Sequence, residues 1–178
     1  MRQAVDVEEA RSWPMPRRAE PEDAAAVAAV WLRSRRASIP AIPAPVHSDE
    51  EVLAFFATVV LPQQEAWVVD ENGEVIAVLV LEPGWINQLY VDPRYTNRGV
   101  GARLLDVAKT AYPNGLDLWT FAANTGARRF YERHDFTAIA STDGDNEEGA
   151  PDVRYHWPVE RTKEPPSGQV AAPGPAVR

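Results

Sequence analysis

The chain of 178 residues contains no cysteine and only three histidines. The absence of cysteine excludes a disulfide framework, a thiol nucleophile and a zinc site built on thiolates. The histidines lack the spacing of metal ligands, so no metal site is predicted; they are His47, His134 and His156. No apolar run approaches the length of a membrane-spanning helix and no signal peptide is recognisable, so a cytoplasmic location is expected.

The chain also has fewer basic than acidic residues, and its formal net charge is −8. Binding to nucleic acid or to an anionic membrane needs a basic face, so neither partner is predicted. The negative charge would suit a cationic substrate. It would equally serve only to keep the protein in solution.

The composition divides the chain into three parts. Residues 1–14 are polar without apolar periodicity, which predicts a flexible extension. Residues 160–178 are rich in proline and glycine and poor in large apolar side chains, which predicts a disordered tail. Residues 15–159 carry enough apolar side chains for one core, so a single domain is predicted there.

Helix and strand patterns alternate within this domain. Helices are predicted from Pro21, after Ser48, over residues 99–112 and over residues 124–134. Ser48 and Glu51 have the spacing of a capping box. The residues of the helix at 99–112 that are expected to face inward are Val100, Leu104, Val107, Ala108 and Ala111. Predicted strands cover residues 66–69, 75–81, 85–91, 116–121, 136–140 and 153–157. The strand at 75–81 is continuously apolar, so it is expected to be covered on both faces. Early hairpins followed by strand–helix alternation predict an α/β fold with a mixed sheet and helices packed against it.

Two turns between these elements carry specific predictions. Asn72-Gly73 lies between two apolar runs, which is typical of a β-hairpin. Gly99-Val100-Gly101 follows the strand at 85–91 and opens a helix. Glycines let the backbone approach a ligand, and the free N–H groups of a helix start attract phosphate. The alternative is a tight turn that only packs the helix against the strand.

Two known phosphate motifs do not fit this turn. A dinucleotide-binding turn needs glycine or alanine where Leu104 stands, and the Gly-Lys-Ser/Thr of a P-loop is absent. Residues 89–93 and 98–101, followed in order by residues 124–136, instead resemble the GNAT superfamily of N-acetyltransferases. The fold-level resemblance covers about residues 17–158.

The resemblance implies a fold and an activity. The implied fold is a mixed, mostly antiparallel sheet of about six or seven strands flanked by about four helices. In this family the cofactor enters a gap between two splayed parallel strands. The implied activity is transfer of acetyl from acetyl-CoA (coenzyme A) to a primary amine, by direct attack in a ternary complex.

The resemblance also assigns roles to matching residues. Strand residues Leu89, Tyr90 and Val91 would bind the pantetheine arm through the backbone. The phosphate turn would hold the pyrophosphate; its residues are Arg98, Gly99, Val100, Gly101 and Ala102. Asn124 and Ala127 would contact the cofactor. Tyr131 would donate a proton to the departing thiolate, although a tyrosine of the hydrophobic core would fit the same pattern.

Two positions depart from the family pattern. Thr96 stands where the family usually has glutamine or arginine, so pyrophosphate binding would depend more on the backbone and Arg98. Asp135 stands where glycine is usual, and aspartate tolerates the left-handed backbone that such a turn needs.

The sequence indicates less clearly which residues would bind and deprotonate the acceptor amine. Glu82 ends a strand and is a candidate general base, or else an exposed turn residue. Glu147 and Glu148 belong to an acidic stretch that would bind the substrate ammonium group, or else to a solvated loop. The acceptor is expected to be a small-molecule amine or a peptide amine.

Two further alternatives stay open at this point. A GNAT-like fold can bind coenzyme A as a ligand or serve as an interaction module without catalysis. The exposed edges of a small mixed sheet would also permit a homodimer.

Overall fold

A seven-stranded sheet forms the centre of the computed structural model, which describes residues 14–158. The strands are β1 (Arg17–Arg18), β2 (Glu65–Glu71), β3 (Glu74–Glu82), β4 (Trp85–Val91), β5 (Leu116–Phe121), β6 (Thr137–Thr142) and β7 (Asp152–Trp157). They lie in the order β1-β2-β3-β4-β5-β7-β6. Only the β4–β5 pair is parallel in this sheet. The mixed, mostly antiparallel sheet predicted from the sequence is therefore confirmed.

Four helical segments flank the sheet in the described part of the chain. The helices are α1 (Ala24–Ala37), α2 (Asp49–Phe55), α3 (Leu61–Gln63), α4 (Val100–Ala111) and α5 (Thr125–Arg133). A π-helical stretch, Phe56–Val60, joins α2 and α3 into one segment. A 3-10 turn, Pro21–Asp23, leads into α1.

The predicted caps and turns are present. The Ser48 hydroxyl accepts a hydrogen bond from the Glu51 N–H, and the Glu51 carboxylate accepts one from the Ser48 N–H, at 3.2 and 2.8 Å. This capping box fixes the start of α2. Asn72 and Gly73 have φ of 55° and 81°, the left-handed pair that a tight hairpin needs.

Strand β3 is the centre of the hydrophobic core. Its seven residues from Val75 to Leu81 are all buried, because α1 covers one face of the sheet and α4 covers the other. Val78 and Val80 pack with Val27 and Val30 of α1. Leu79 and Leu81 point to the opposite face of the sheet, where they form a second cluster with Leu104 and Leu105 of α4. The continuous apolar run thus produced the two-sided burial that was predicted.

The inward face of α4 differs in one detail from the prediction. Ala111 was expected to point inward but is exposed, whereas Leu105 is fully buried. The predicted extension (1–14, except Pro14) and the predicted tail (160–178) lie outside the described residues. Within residues 14–158, no helix combines the length and apolar character needed to cross a bilayer.

Candidate functional site

The cleft of the molecule opens where the two parallel strands part. Strands β4 and β5 pair at one position, Trp85 with Asp117, and the Asp117 N–H donates to the Gly84 carbonyl at 2.9 Å. Past that point they share no further registered pair, so they diverge toward their carboxyl ends. The resulting cleft has a volume of about 740 Å³. One edge of β4 is thereby left for a ligand, since β3 occupies only its other edge.

The N-terminus of α4 lies at this cleft. Gly99 is its N-cap residue, has φ of 83°, and provides no side-chain cap. The first N–H groups of α4 therefore have no capping side chain, and they carry the positive end of the helix dipole. Gly99, Gly101 and Ala102 line the cleft together with Thr96 and Asn97. This arrangement fits a phosphate or pyrophosphate group.

Close packing explains the second glycine of the turn. A Cβ at Gly101 would lie 3.3 Å from a ring carbon of Phe130 and 3.6 Å from a methyl carbon of Val91. Glycine therefore lets α4 pack tightly against β4 and α5. The packing use of the turn is therefore present, and its use for a ligand stays a prediction.

Helix α5 brings a tyrosine to the cleft. Asn124 caps the helix, because its side-chain oxygen accepts a hydrogen bond from the Ala127 N–H at 3.1 Å. Two turns further on, Tyr131 lines the cleft and is only 7% exposed. Its ring packs edge-on against Phe130 and Phe136.

The environment of Tyr131 keeps its hydroxyl protonated. Burial raises the pKa of Tyr131 well above the ordinary phenol value, and nearby Tyr90 adds to the rise. Within the described chain, no side chain or backbone group hydrogen bonds to this hydroxyl. The proton is therefore held at neutral pH and is free to be donated to a ligand.

A buried carboxylate fixes the end of β4 beside the phosphate turn. Asp92 is fully buried, and its carboxylate accepts a hydrogen bond from Arg33 Nε of α1 at 2.6 Å. Arg94 donates to the same carboxylate from its backbone and from its guanidinium, each at 3.0 Å. Hydrogen bonds from Arg94 and Arg33 lower the pKa of Asp92 to about 2, against the opposing effect of burial.

The opposite wall of the cleft holds a buried cation. Arg35 of α1 is 4% exposed and lies between the rings of Trp31 and Phe121, at 5.2 and 5.1 Å from their centroids. Its Nη2 donates to the Glu148 carboxylate at 2.6 Å. The acidic stretch that contains Glu148 is thereby tied to α1 at the cleft.

Most of the predicted cofactor residues meet at the cleft. They are Leu89, Tyr90, Val91, Gly99, Gly101, Ala102, Asn124 and Ala127, together with the predicted acid Tyr131. Val100 faces the core instead, at 1% exposure, so only its backbone can serve a ligand. Arg98 lies over the ring of Tyr95, a cleft residue, with 5.7 Å between guanidinium and ring centroid. The cofactor role of these residues stays a prediction.

The predicted acceptor-side residues lie differently. Glu82 is exposed at the closed end of the β3–β4 hairpin and accepts a hydrogen bond from Gln64. It is not among the residues that line the cleft. The Glu147 carboxylate is 3.2 Å from His47 Nε2 near the surface. Glu148 already faces a guanidinium, so the geometry does not favour its predicted contact with an ammonium group.

Two cleft residues were missed by the sequence analysis. Arg35 follows Trp31 by four residues on the inner face of α1, where a charged residue is unusual. That spacing was the available signal. Gln88 lies within a strand that was assigned only a backbone role, and no pattern distinguished its side chain.

The divided sheet and the glycine turn at the start of α4 define an α/β protein with a ligand cleft, and comparison with known proteins identifies the family. Residues 25–136 match the acetyltransferase (GNAT) family, so the chain belongs to that family. It is accordingly an acyltransferase enzyme of the N-acetyltransferase class. The predicted superfamily, fold and enzyme class are confirmed.

Individual proteins resemble the chain over most of its length. The peptidyl-lysine N-acetyltransferase YiaC of Escherichia coli is 26% identical over 149 residues, which cover 83% of this chain and 99% of YiaC. Apo-form YjaB from Escherichia coli has a TM-score of 0.66 and 23% identity, covering 80% and 95% of the two chains. The PaiA N-acetyltransferase of Thermoplasma acidophilum, in complex with coenzyme A, has a TM-score of 0.61 and 16% identity, covering 79% and 96%.

Proposed function

We propose that the protein transfers the acetyl group of acetyl-CoA to a primary amine, with both substrates bound together in the cleft. The observation that carries the proposal is the divergence of β4 from β5 beside the uncapped start of α4. A long ligand with a phosphate-bearing end fits a gap of that kind. The family membership and the coenzyme A complex of the PaiA protein support the same co-substrate.

The residues present suit acetyl-CoA as a substrate. The pyrophosphate would accept hydrogen bonds from backbone N–H groups at the start of α4, through Gly99 to Ala102. The pantetheine arm would add to the unpaired edge of β4 along Leu89, Tyr90 and Val91, as an extended peptide adds to a sheet edge. Arg98 and Asn124 lie at the two helix starts that flank this path.

Proton transfer would follow from the position of Tyr131. The amine nitrogen forms a bond to the carbonyl carbon, the carbon–sulfur bond breaks, and the sulfur takes the phenolic proton. The proton lost by the nitrogen restores Tyr131. Backbone N–H groups on the free edge of β4 would stabilise the charge that develops on the carbonyl oxygen.

The acceptor is proposed to be an amine of the lysine type. The relative YiaC is named a peptidyl-lysine N-acetyltransferase, which supports this class. Peptides with a lysine side chain, peptides with a free N-terminus and simple alkylamines would separate the amine types.

The chain offers a direct assay of the proposal. Because it contains no cysteine, a thiol-reactive dye reports only the coenzyme A that is released. Acetyl-CoA is mixed with the amine panel, and mass spectrometry confirms the acetylated product. Amine-dependent thiol release is expected. Binding of acetyl-CoA without transfer to any amine of the panel would favour a non-catalytic binding module instead.

A further inference from the structure

The two edges of the central sheet differ in how they are protected from pairing with another strand. At one edge lies β1, which has two residues, Arg17 and Arg18. A short and charged strand discourages a further strand from adding to the sheet. At the other edge lies β6, which has six residues and contains no charge, proline or glycine. This second edge therefore lacks the charges and the proline that block strand addition.

Strand β6 is also poorly covered by the rest of the described chain. Five of its six side chains are exposed, from Thr137 to Ser141, whereas a strand with one face packed on a core buries every second side chain. The register with β7 shifts between Ala138 and Ala140, so Ile139 is the extra residue of a bulge. Its large apolar side chain is 53% exposed. An edge of unpaired backbone groups with such a side chain at its middle is suited to a second strand.

The chain is positively charged where β6 begins. Arg129 and Arg133 lie one turn apart near the end of α5, and both are exposed. Neither forms an ion pair or a hydrogen bond with the residues that the structure describes. Lys109 adds another cation, because its ammonium group donates to the His134 carbonyl at 2.8 Å. Residues 128–136 contain three arginines and two carboxylates, so with Lys109 the cations are in excess.

The chain is negatively charged where β6 ends. Residues 143–148 contain four carboxylates and no cation. The two glutamates of this stretch face Arg35 and His47. The two aspartates nearest the strand, Asp143 and Asp145, are exposed and form no ion pair within the described part of the chain. Free carboxylates thus lie at one end of the strand and free cations at the other.

A strand with ends of opposite charge is complementary to a second copy of itself that runs in the antiparallel direction. We propose that two copies of the protein form a two-fold symmetric dimer through β6, which joins their seven-stranded sheets into one. Antiparallel pairing centred between Ile139 and Ala140 places Asp145 of one copy opposite His134 of the other, beside Arg133. The same contact forms twice, once on each side of the symmetry axis. This inference does not depend on the proposed acetyl transfer.

The mass of the full chain in solution tests the dimer. Sedimentation equilibrium is measured without ligand from about 1 µM to about 500 µM, because a contact of one strand per copy is a small interface and is expected to dissociate on the order of 10–100 µM. The mean mass should rise from that of one chain toward that of two. A mass that stays at one chain over the whole range would overturn the proposal.

The concentration dependence of hydrogen exchange identifies the strand that pairs. Amides of β6 that point to the free edge should exchange more slowly as the concentration rises, because they become hydrogen bonded in the dimer. Amides of β1, at the opposite edge, should not change. If the β6 amides are protected equally at all concentrations, another part of the same chain, such as residues 159–178, covers the edge, and the proposal is wrong.

A charge at the middle of β6 should prevent the pairing. Ile139→Lys is expected to raise the dissociation constant of the dimer by at least about tenfold, as a lysine on an edge strand does. Leu53→Lys is the matched control, since Leu53 is an exposed apolar residue of α2. Near-ultraviolet circular dichroism of both variants shows that the fold is retained. A dimer that is unchanged in Ile139→Lys has its interface elsewhere, which contradicts the proposal.

An exchange of charges tests the antiparallel arrangement, and it does not need Ile139→Lys to fold. Arg133→Glu and Asp145→Arg should each raise the dissociation constant by about three- to tenfold, because an attractive contact becomes repulsive in two places. The double variant restores opposite charges and should dimerise as the wild type does. If the double variant is as weak as the weaker single variant, the two ends do not meet and the proposed arrangement is wrong.

Discussion

The Tyr131 hydroxyl is the proton donor that is proposed for the reaction in the cleft. Tyr131 is buried, protonated at neutral pH and free of hydrogen bonds within the described chain. Removing a hydroxyl in this state breaks no contact of the folded protein. Its loss should therefore be seen in the reaction and not in the stability.

Tyr131→Phe should lower kcat on the order of 100-fold, which is typical for loss of a general acid. The dissociation constant of acetyl-CoA and the midpoint of urea unfolding should stay as in the wild type. Because burial raises the pKa of Tyr131, ionisation of this group should not reduce the wild-type kcat between pH 7 and 10. Tyr112→Phe, whose hydroxyl contacts Glu65 outside the cleft, serves as the control. A variant with full kcat would exclude the proton-donor role.

The carboxylate of Asp92 yields a prediction for stability against pH. Its pKa is lowered from 3.8 to about 2 in the folded state, so the carboxylate contributes stability above the unfolded pKa. That contribution is about 2 kcal/mol at neutral pH and is lost as the pH falls from about 4 to about 2.

Asp92→Asn should therefore lower the free energy of unfolding by about 2 kcal/mol at pH 7. The difference from the wild type should shrink toward pH 2. Urea unfolding at pH 7, 4 and 2.5 measures it, with the exposed Asp106→Asn of α4 as the control. A difference that stays constant over this range would mean that the ion pairs with Arg33 and Arg94 contribute little to stability.

At the residue scale, sequence reasoning found the residues that a motif marks and missed those that only packing defines. Tyr131 was expected at the cleft because it belongs to the 124–136 motif, and it lies there; its role as proton donor stays a prediction. Arg35 was missed because a charged side chain is expected on the surface, and only the rings of Trp31 and Phe121 with Glu148 make its burial tolerable. Phe121 and Glu148 lie far from Arg35 in the chain. Asp135 was predicted to accept a left-handed backbone, and its φ of 68° agrees.

The role of the phosphate turn can be tested by substitutions that add only backbone strain. Gly99 and Gly73 have nearly the same backbone, with φ of 83° and 81°, and a Cβ at either would meet no atom within 4 Å. Substitution by alanine thus adds the same left-handed strain in both places, about 1 kcal/mol or slightly more. Only Gly99 adjoins the cleft.

Gly99→Ala and Gly73→Ala should consequently reduce the free energy of unfolding by similar amounts. Only Gly99→Ala should weaken acetyl-CoA binding, because the strain shifts the N–H groups at the start of α4. Isothermal titration with acetyl-CoA and urea unfolding measure the two effects. Equal affinities in both variants would show that the turn packs the helix and does not bind the pyrophosphate.

At the element scale, short-range sequence patterns predicted turns, caps and strands correctly, whereas the register between strands could not be predicted from them. The hairpin at Asn72-Gly73, the capping box at Ser48 and the buried strand β3 follow from short-range patterns, and all were predicted. The bulge at Asn87 was not, since it arises from the pairing of β4 with β3 and has no glycine or proline to mark it. The direction of the Gln88 side chain depends on this bulge.

At the scale of the whole molecule, the central sheet consists of two sets of strands with few backbone contacts between them. Strands β1 to β4 form one antiparallel set, and β5, β7 and β6 form another. Between the two sets, one registered residue pair joins β4 to β5. The helices α4 and α5 add to the connection through the core around Leu104 and Tyr131, and Arg35 of α1 adds contacts with Phe121 and Glu148.

A ligand that fills the gap should stabilise both sets together. At about 100 times its dissociation constant, acetyl-CoA should add roughly 2.7 kcal/mol to the free energy of unfolding. In a domain of this size the unfolding temperature should rise by several degrees. NAD and ATP, which share the adenine nucleotide without the pantetheine arm, should give a much smaller rise.

Hydrogen exchange locates that stabilisation in the sheet. The backbone N–H groups of β4 from Leu89 to Val91 that face the gap should exchange more slowly with acetyl-CoA bound, because the pantetheine arm pairs with them. Amides of β2, which lies two strands away, should change only as far as global stability changes. If acetyl-CoA raises the unfolding temperature but protects only the α4 turn, the ligand is held by its phosphates alone, and the free edge of β4 has no part in binding it.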